Sequence, residues 1–82
     1  MNDMTERVAF PVIDYVATGR NIQRLREQHG MSVSDLQEVF GFPYPQAIYK
    51  WQRGQNLPDI ANLLMMSKLW DVSVEEILVL ER

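Results

Sequence analysis

The sequence predicts an all-α domain of five helices, and three observations predict it. Apolar residues recur at spacings of three and four along most of the chain. Ser, Pro and Gly stand where such segments begin and end. No stretch alternates in the manner of a strand except Val8-Ala9-Phe10, just ahead of Pro11. With 82 residues, 46% of them apolar, the chain suits one modest hydrophobic core. Residues 1–13 read as an N-terminal extension and residues 14–82 as the domain itself.

The first helix is expected from Asp14 to Gln28, where Tyr15, Val16, Ile22 and Leu25 recur between charged residues and Gly30 supplies the stop. Ser32 caps a second helix with Asp35 in its first turn, and Val33, Leu36, Val39 and Phe40 form the stripe it buries before Gly41. Phe42-Pro43-Tyr44 is a turn. Pro45 then suits the first position of a third helix, because its missing N–H would have had no partner there, and that helix runs to Arg53 with Gly54 as its cap. After the polar loop Gln55-Asn56-Leu57, a fourth helix is expected from Pro58 to Trp70, burying Ile60, Leu63, Leu64, Met66 and Leu69, with Met65 also assigned to packing. Ser73-Val74-Glu75-Glu76 has the form of a capping box and opens a fifth helix that buries Val74, Ile77 and Leu78.

Composition narrows the chemistry. The chain has no cysteine, which removes disulfides, thiolate metal sites and cysteine nucleophiles and suits the cytoplasm. His29 is the only histidine and stands at a helix end, where an imidazole meets free carbonyl groups. No phosphate-binding glycine loop or nucleophile elbow is present. The expectation is therefore no enzyme activity, no cofactor and no metal. No apolar run is long enough to span a bilayer, so no membrane role is expected. The net charge of −3 hides an uneven distribution: residues 20–53 carry Arg20, Arg24, Arg26, Lys50 and Arg53 against Glu27, Asp35 and Glu38, a balance of +2 between two acidic ends.

That central segment holds two short helices joined by a glycine-containing turn, an arrangement that can project its second helix into the major groove of DNA. Ile48 and Trp51 lie three apart and face the core, leaving Gln46, Ala47, Tyr49, Lys50 and Arg53 outward. Gln can pair with adenine, Lys can donate to guanine or a phosphate, and Ala lets a thymine methyl approach.

An ordered set of motifs then resembles the Cro and phage-repressor (XRE-type) family of helix-turn-helix domains, over residues 18–80. Its pieces are Gly19-Arg20-Asn21-Ile22-Gln23-Arg24-Leu25-Arg26-Glu27, Gly30-Met31-Ser32, Ile48-Tyr49-Lys50-Trp51-Gln52-Arg53-Gly54, Leu57-Pro58, and Val72-Ser73-Val74-Glu75-Glu76-Ile77-Leu78. The resemblance implies a five-helix, lambda-repressor-like domain of bacteria or phages. It implies a transcription regulator, a repressor by preference, that binds double-stranded operator DNA as a homodimer and is nucleoid-associated when bound. It places base reading on Gln46, Ala47 and Lys50, a phosphate contact on Arg53, and the DNA backbone against Gln55 and Asn56. Trp51 is expected to be structural.

The sequence departs from the family pattern in three places. The turn from Gly41 to Ile48 is one residue longer and carries Pro43 and Pro45, so the family's docking angle does not carry over to this chain. Val33 replaces a polar residue that holds a phosphate, and Gln37 replaces a small one packed against the recognition helix. Gln52 replaces an acid, so Arg26 gains a neutral hydrogen bond and keeps its charge for DNA. The second reading is an antitoxin-like or adaptor module of the same fold that holds a protein partner through residues 8–13, a segment that otherwise straps its own domain.

Overall fold

The computed structural model describes residues 9–82. Five helices follow in order: α1 Tyr15–Gln28, α2 Val33–Phe40, α3 Gln46–Gln52, α4 Ile60–Trp70 and α5 Val74–Ile77. Among the described residues no named strand occurs; the expected alternation at Val8-Ala9-Phe10 leaves Ala9 and Phe10 outside any strand, and Val8 lies outside the described residues. Pairing is found instead at Ile13, which forms a single antiparallel bridge with Leu80. Asp14 N–H donates to Val79 O at 2.7 Å and Glu81 N–H to Val12 O at 2.8 Å, so the segment before α1 straps its own domain's C-terminal end.

Helix starts follow the side chains that can satisfy free N–H groups. Asp14 caps α1 by accepting from Ala17 N–H at 2.9 Å. Ser32 and Ser73 each form complete capping boxes, with Asp35 and Glu76 reaching back to the cap N–H. The fourth helix begins two residues later than expected, because Asp59 accepts from Asn62 N–H at 2.9 Å and takes the cap, leaving Pro58 buried in the loop. Pro45 likewise stands at the cap of α3 rather than at its first helical position, and Arg53 is the C-terminal cap.

Ile22, Leu25, Leu36, Ile48, Trp51, Leu63, Met66, Trp70 and Ile77 make the core. α1 packs chiefly on α3, and α4 on α5. Two expectations about the core need correction. Val39 is exposed on α2, and α4 turns Ile60, Leu64 and Met65 to the surface, at 76%, 53% and 40% exposure. α4 is apolar nearly all round, but among the described residues only the face carrying Leu63, Met66 and Trp70 is buried.

Two glycines fix how α1 meets the recognition segment. A Cβ on Gly19 would collide with the Trp51 carbonyl oxygen and stand 2.8 Å from that of Gln52. Gly54 has φ +74°, and a Cβ there would stand 2.7 Å from Val16 Cα. At the other edge of α1, fully buried Thr18 accepts from Val79 N–H at 2.9 Å. The Asn21 amide donates to Glu76 O and Ile77 O at 2.8 and 2.9 Å. Thus α1 is the spine that holds both α3 and the C-terminal end.

Candidate nucleic-acid interface

α2, the turn and α3 form the helix pair expected to meet DNA. Gly41 ends α2 in the left-handed region at φ +67°, with Gly41 N–H on Glu38 O and Phe42 N–H on Gln37 O, both at 3.1 Å. The Gln37 amide then donates to Phe42 O at 3.1 Å. A small residue could not make that bond, so Gln37 braces the longer turn. Phe40 and Phe42 stack with centroids 5.2 Å apart, and both present edges to Trp51 at 5.6 and 5.8 Å. Phe42 is therefore part of the packing, a role the turn assignment did not predict.

This bracing aims α3. Ile48 is fully buried and Trp51 is 4% exposed, as their spacing predicts. Gln46, Tyr49, Lys50 and Arg53 lie on the exposed side, while Ala47 is half-buried against the core. The Arg53 guanidinium sits 5.7 Å from the Tyr49 ring centroid, so the ring props a cation on the outer face. Gln55 and Asn56 are also exposed. The N–H groups of Gly54 and Gln55, however, close α3 by donating to Trp51 O and Lys50 O at 3.1 and 2.9 Å. What this loop offers a phosphate is thus chiefly side chain.

Charge is less concentrated than the sequence suggested. Arg26 is 9% exposed; its Nε donates to Gln52 Oε1 at 3.0 Å and its Nη1 to Met31 O at 2.7 Å. The predicted neutral bond to Gln52 forms, but burial removes Arg26 from any DNA surface, contrary to expectation. It ties α1 to the start of α2 and the end of α3. Arg24 is held by Asn21 Oδ1 at 3.1 and 2.6 Å, beside α5. The exposed cations of the central segment are Arg20, Arg24, Lys50 and Arg53, with Arg24 set apart beside α5.

The start of α2 is closed. Ser32 N–H donates to the Asp35 carboxylate at 2.8 Å and Asp35 N–H to Ser32 Oγ at 3.0 Å. The Ser32 N–H foremost, and the Ser32 hydroxyl after it, hold the Asp35 carboxyl below its ordinary value of 3.8. A carboxylate therefore occupies the helix start where a phosphate would otherwise be favoured. Sequence reasoning missed Tyr44, which is 69% exposed between two prolines directly ahead of α3. Its position in the lengthened turn was the available signal. His29 behaves as expected of a helix-end imidazole, with Nδ1 2.8 Å from Leu25 O, and it also stacks on Trp70.

A family model described as "Helix-turn-helix" matches residues 22–77, more than half of the chain. No curated protein matches. Among solved structures, the chain is similar to the restriction-modification controller protein C.AhdI from Aeromonas hydrophila, at 25% identity and a TM-score of 0.67, covering 78% of this chain and 96% of that one. Two structures of the BldD DNA-binding domain share the fold. One, from S. venezulae, has 20% identity and a TM-score of 0.65, covering 79% of this chain and 96% of that one. The other has 21% identity and a TM-score of 0.66, with coverage of 79% and 93%.

Proposed function

Because the chain belongs to the helix-turn-helix family, as an XRE-type DNA-binding transcription regulator, we propose that it reads a specific operator by laying α3 in the major groove, binds as a homodimer and acts by repression. The observation that carries this is the two-sidedness of α3: Ile48 and Trp51 anchor it, while Gln46, Tyr49, Lys50 and Arg53 face outward on a braced turn. Gln46 and Lys50 read base edges, with Ala47 in close apolar contact beside them. Arg53, steadied by Tyr49, takes a phosphate, and Gln55 and Asn56 line the DNA backbone. Tyr44 joins them as a hydroxyl donor at the edge of the groove. Residues 1–13 form an extension to the reading domain, strapped down at its last residues. The protein works in the cytoplasm, nucleoid-bound when it holds its operator, without enzymatic activity.

Selection from random duplex DNA at a fixed salt concentration tests this reading, with recovery of a pseudo-palindromic site as the expected result. A Gln46→Ala/Lys50→Ala variant that binds the selected site as tightly as the parent would sink the recognition-helix assignment.

One observation favours a protein partner as the alternative. Phe10 is 89% exposed beside a groove of about 520 Å³ lined by Pro11, Ile13, Glu75, Leu78 and Leu80. An antitoxin-like role would place a partner's apolar, basic segment there. Failure of the selection even at low salt supports that reading.

A further inference from the structure

α4 presents an apolar surface that the described residues leave uncovered. Ile60, Leu64 and Lys68 follow at intervals of four and share one line of the helix, with Met65 beside Leu64. Ile60 is 76% exposed, Leu64 53% and Met65 40%. The ends of this line carry opposite charges: exposed Asp59 at the start and exposed Lys68 near the finish.

We propose that this α4 face docks on the same face of a second copy, the two helices antiparallel and related by a two-fold axis near Leu64. The proposal rests on the homodimer reading above and assigns its surface. An isologous contact must complement itself, so residue i must tolerate whatever its own surface brings opposite. Antiparallel pairing about Leu64 sets Leu64 against its counterpart and places Asp59 and Ile60 of one copy near Lys68 of the other. The centre is then apolar, both charged ends meet opposite charges, and the helix dipoles oppose each other.

The other apolar surface fails this requirement. The groove at the chain ends contains Glu75 and no cation among its lining residues, which are otherwise Pro11, Ile13, Leu78 and Leu80. A two-fold axis there would bring acids against acids. The second copy therefore sits on α4, leaving the terminal groove free.

Single-cysteine cross-linking of the full chain tests the assignment, because the sequence contains no cysteine of its own. Near the axis, Leu64→Cys brings two sulfurs within disulfide range, and it should cross-link rapidly on mild oxidation, with or without the selected duplex. Leu80→Cys, which is equally accessible, should not. Leu64→Asp should reduce the mass in solution from two chains to one, weakening dimerisation more than tenfold, while helical content stays near the parent's and the melt loses its dependence on protein concentration. Lys68→Glu, with no apolar contact removed, should weaken the dimer less.

Cross-linking through Leu80→Cys and not Leu64→Cys would overturn the α4 assignment and leave the homodimer standing. A parent that is a single chain per particle both free and on DNA would overturn the assignment together with the homodimer. Failure of the DNA reading is distinguishable, since it would show as no recovered sequence while Leu64→Cys still cross-links.

Discussion

α2 has eight residues and α3 seven, and only a short turn separates them, yet they are held in opposite ways. α2 closes its own start with the reciprocal bonds of Ser32 and Asp35 and its own end with the left-handed Gly41. α3 has no side-chain cap at its start. Its position comes from outside: the Gly19 seam against its last carbonyls, Arg26 on Gln52, the Phe40-Phe42-Trp51 cluster, and Gln37 bracing the turn that leads into it. A helix shorter than about 12 residues is marginal alone, so local caps and tertiary anchors are alternative solutions. The difference teaches that α2 is specified by caps at its own two ends, and α3 by residues that lie outside it, from Gly19 to Phe42. Its outer side chains are consequently free of structural duty.

The largest way to break this comparison is at the seam. Gly19→Ala places a methyl against two backbone carbonyls that cannot rotate away, and the expected loss is roughly 3 kcal/mol or failure to fold. Urea denaturation should show it, and a loss below about 1 kcal/mol would mean that α3 does not depend on α1 as described.

On the outer face the effects should move from stability to binding. Lys50→Ala is expected to cost about 1–3 kcal/mol in discrimination between the selected site and its base variants. Arg53→Ala should weaken all sequences alike and lower the slope of log K against log salt by about one phosphate. Both should melt with the parent; a large stability loss in either would contradict the division of faces.

Gln37→Ala removes the brace without touching the core, at an expected cost of about 1 kcal/mol. It should loosen the turn, so DNA affinity should fall by more than the stability change alone would produce. Comparing site affinity with the melting midpoint separates the two.

The smallest effect should be a pH dependence at α2. Asp35 has a folded pKa below its unfolded value of 3.8, so its stabilising contribution is complete above that value and disappears as pH falls through the depressed folded one. Thermal melts of the parent and Asp35→Asn should therefore differ near neutral pH and converge in strong acid. A gap that persists in acid would assign the effect to the lost geometry rather than to charge.

Legibility in the sequence follows the same division. Ser32, Gly41, Gly54 and Ser73 marked element boundaries because caps and left-handed turns act within a few residues. The outward positions on α3 could be read from the three-residue spacing of Ile48 and Trp51, except for Ala47, which lies half-buried against the core. Burial of Arg26, the brace by Gln37 and the inclusion of Phe42 in the packing could not, because each depends on a partner supplied by folding. The periodicity of α4 misled for a related reason: it shows that a face is apolar, and says nothing of whether the cover comes from the same chain.

The placement of the two tryptophans gives each half of the domain its own optical reporter. Trp51 lies in the aromatic cluster at the turn, and Trp70 lies under His29, with ring centroids 6.1 Å apart at 26°. Replacing either indole with Phe would yield a protein whose remaining fluorescence follows the packing of the turn ahead of α3 at one end or the α1–α4 packing at the other, without an attached dye.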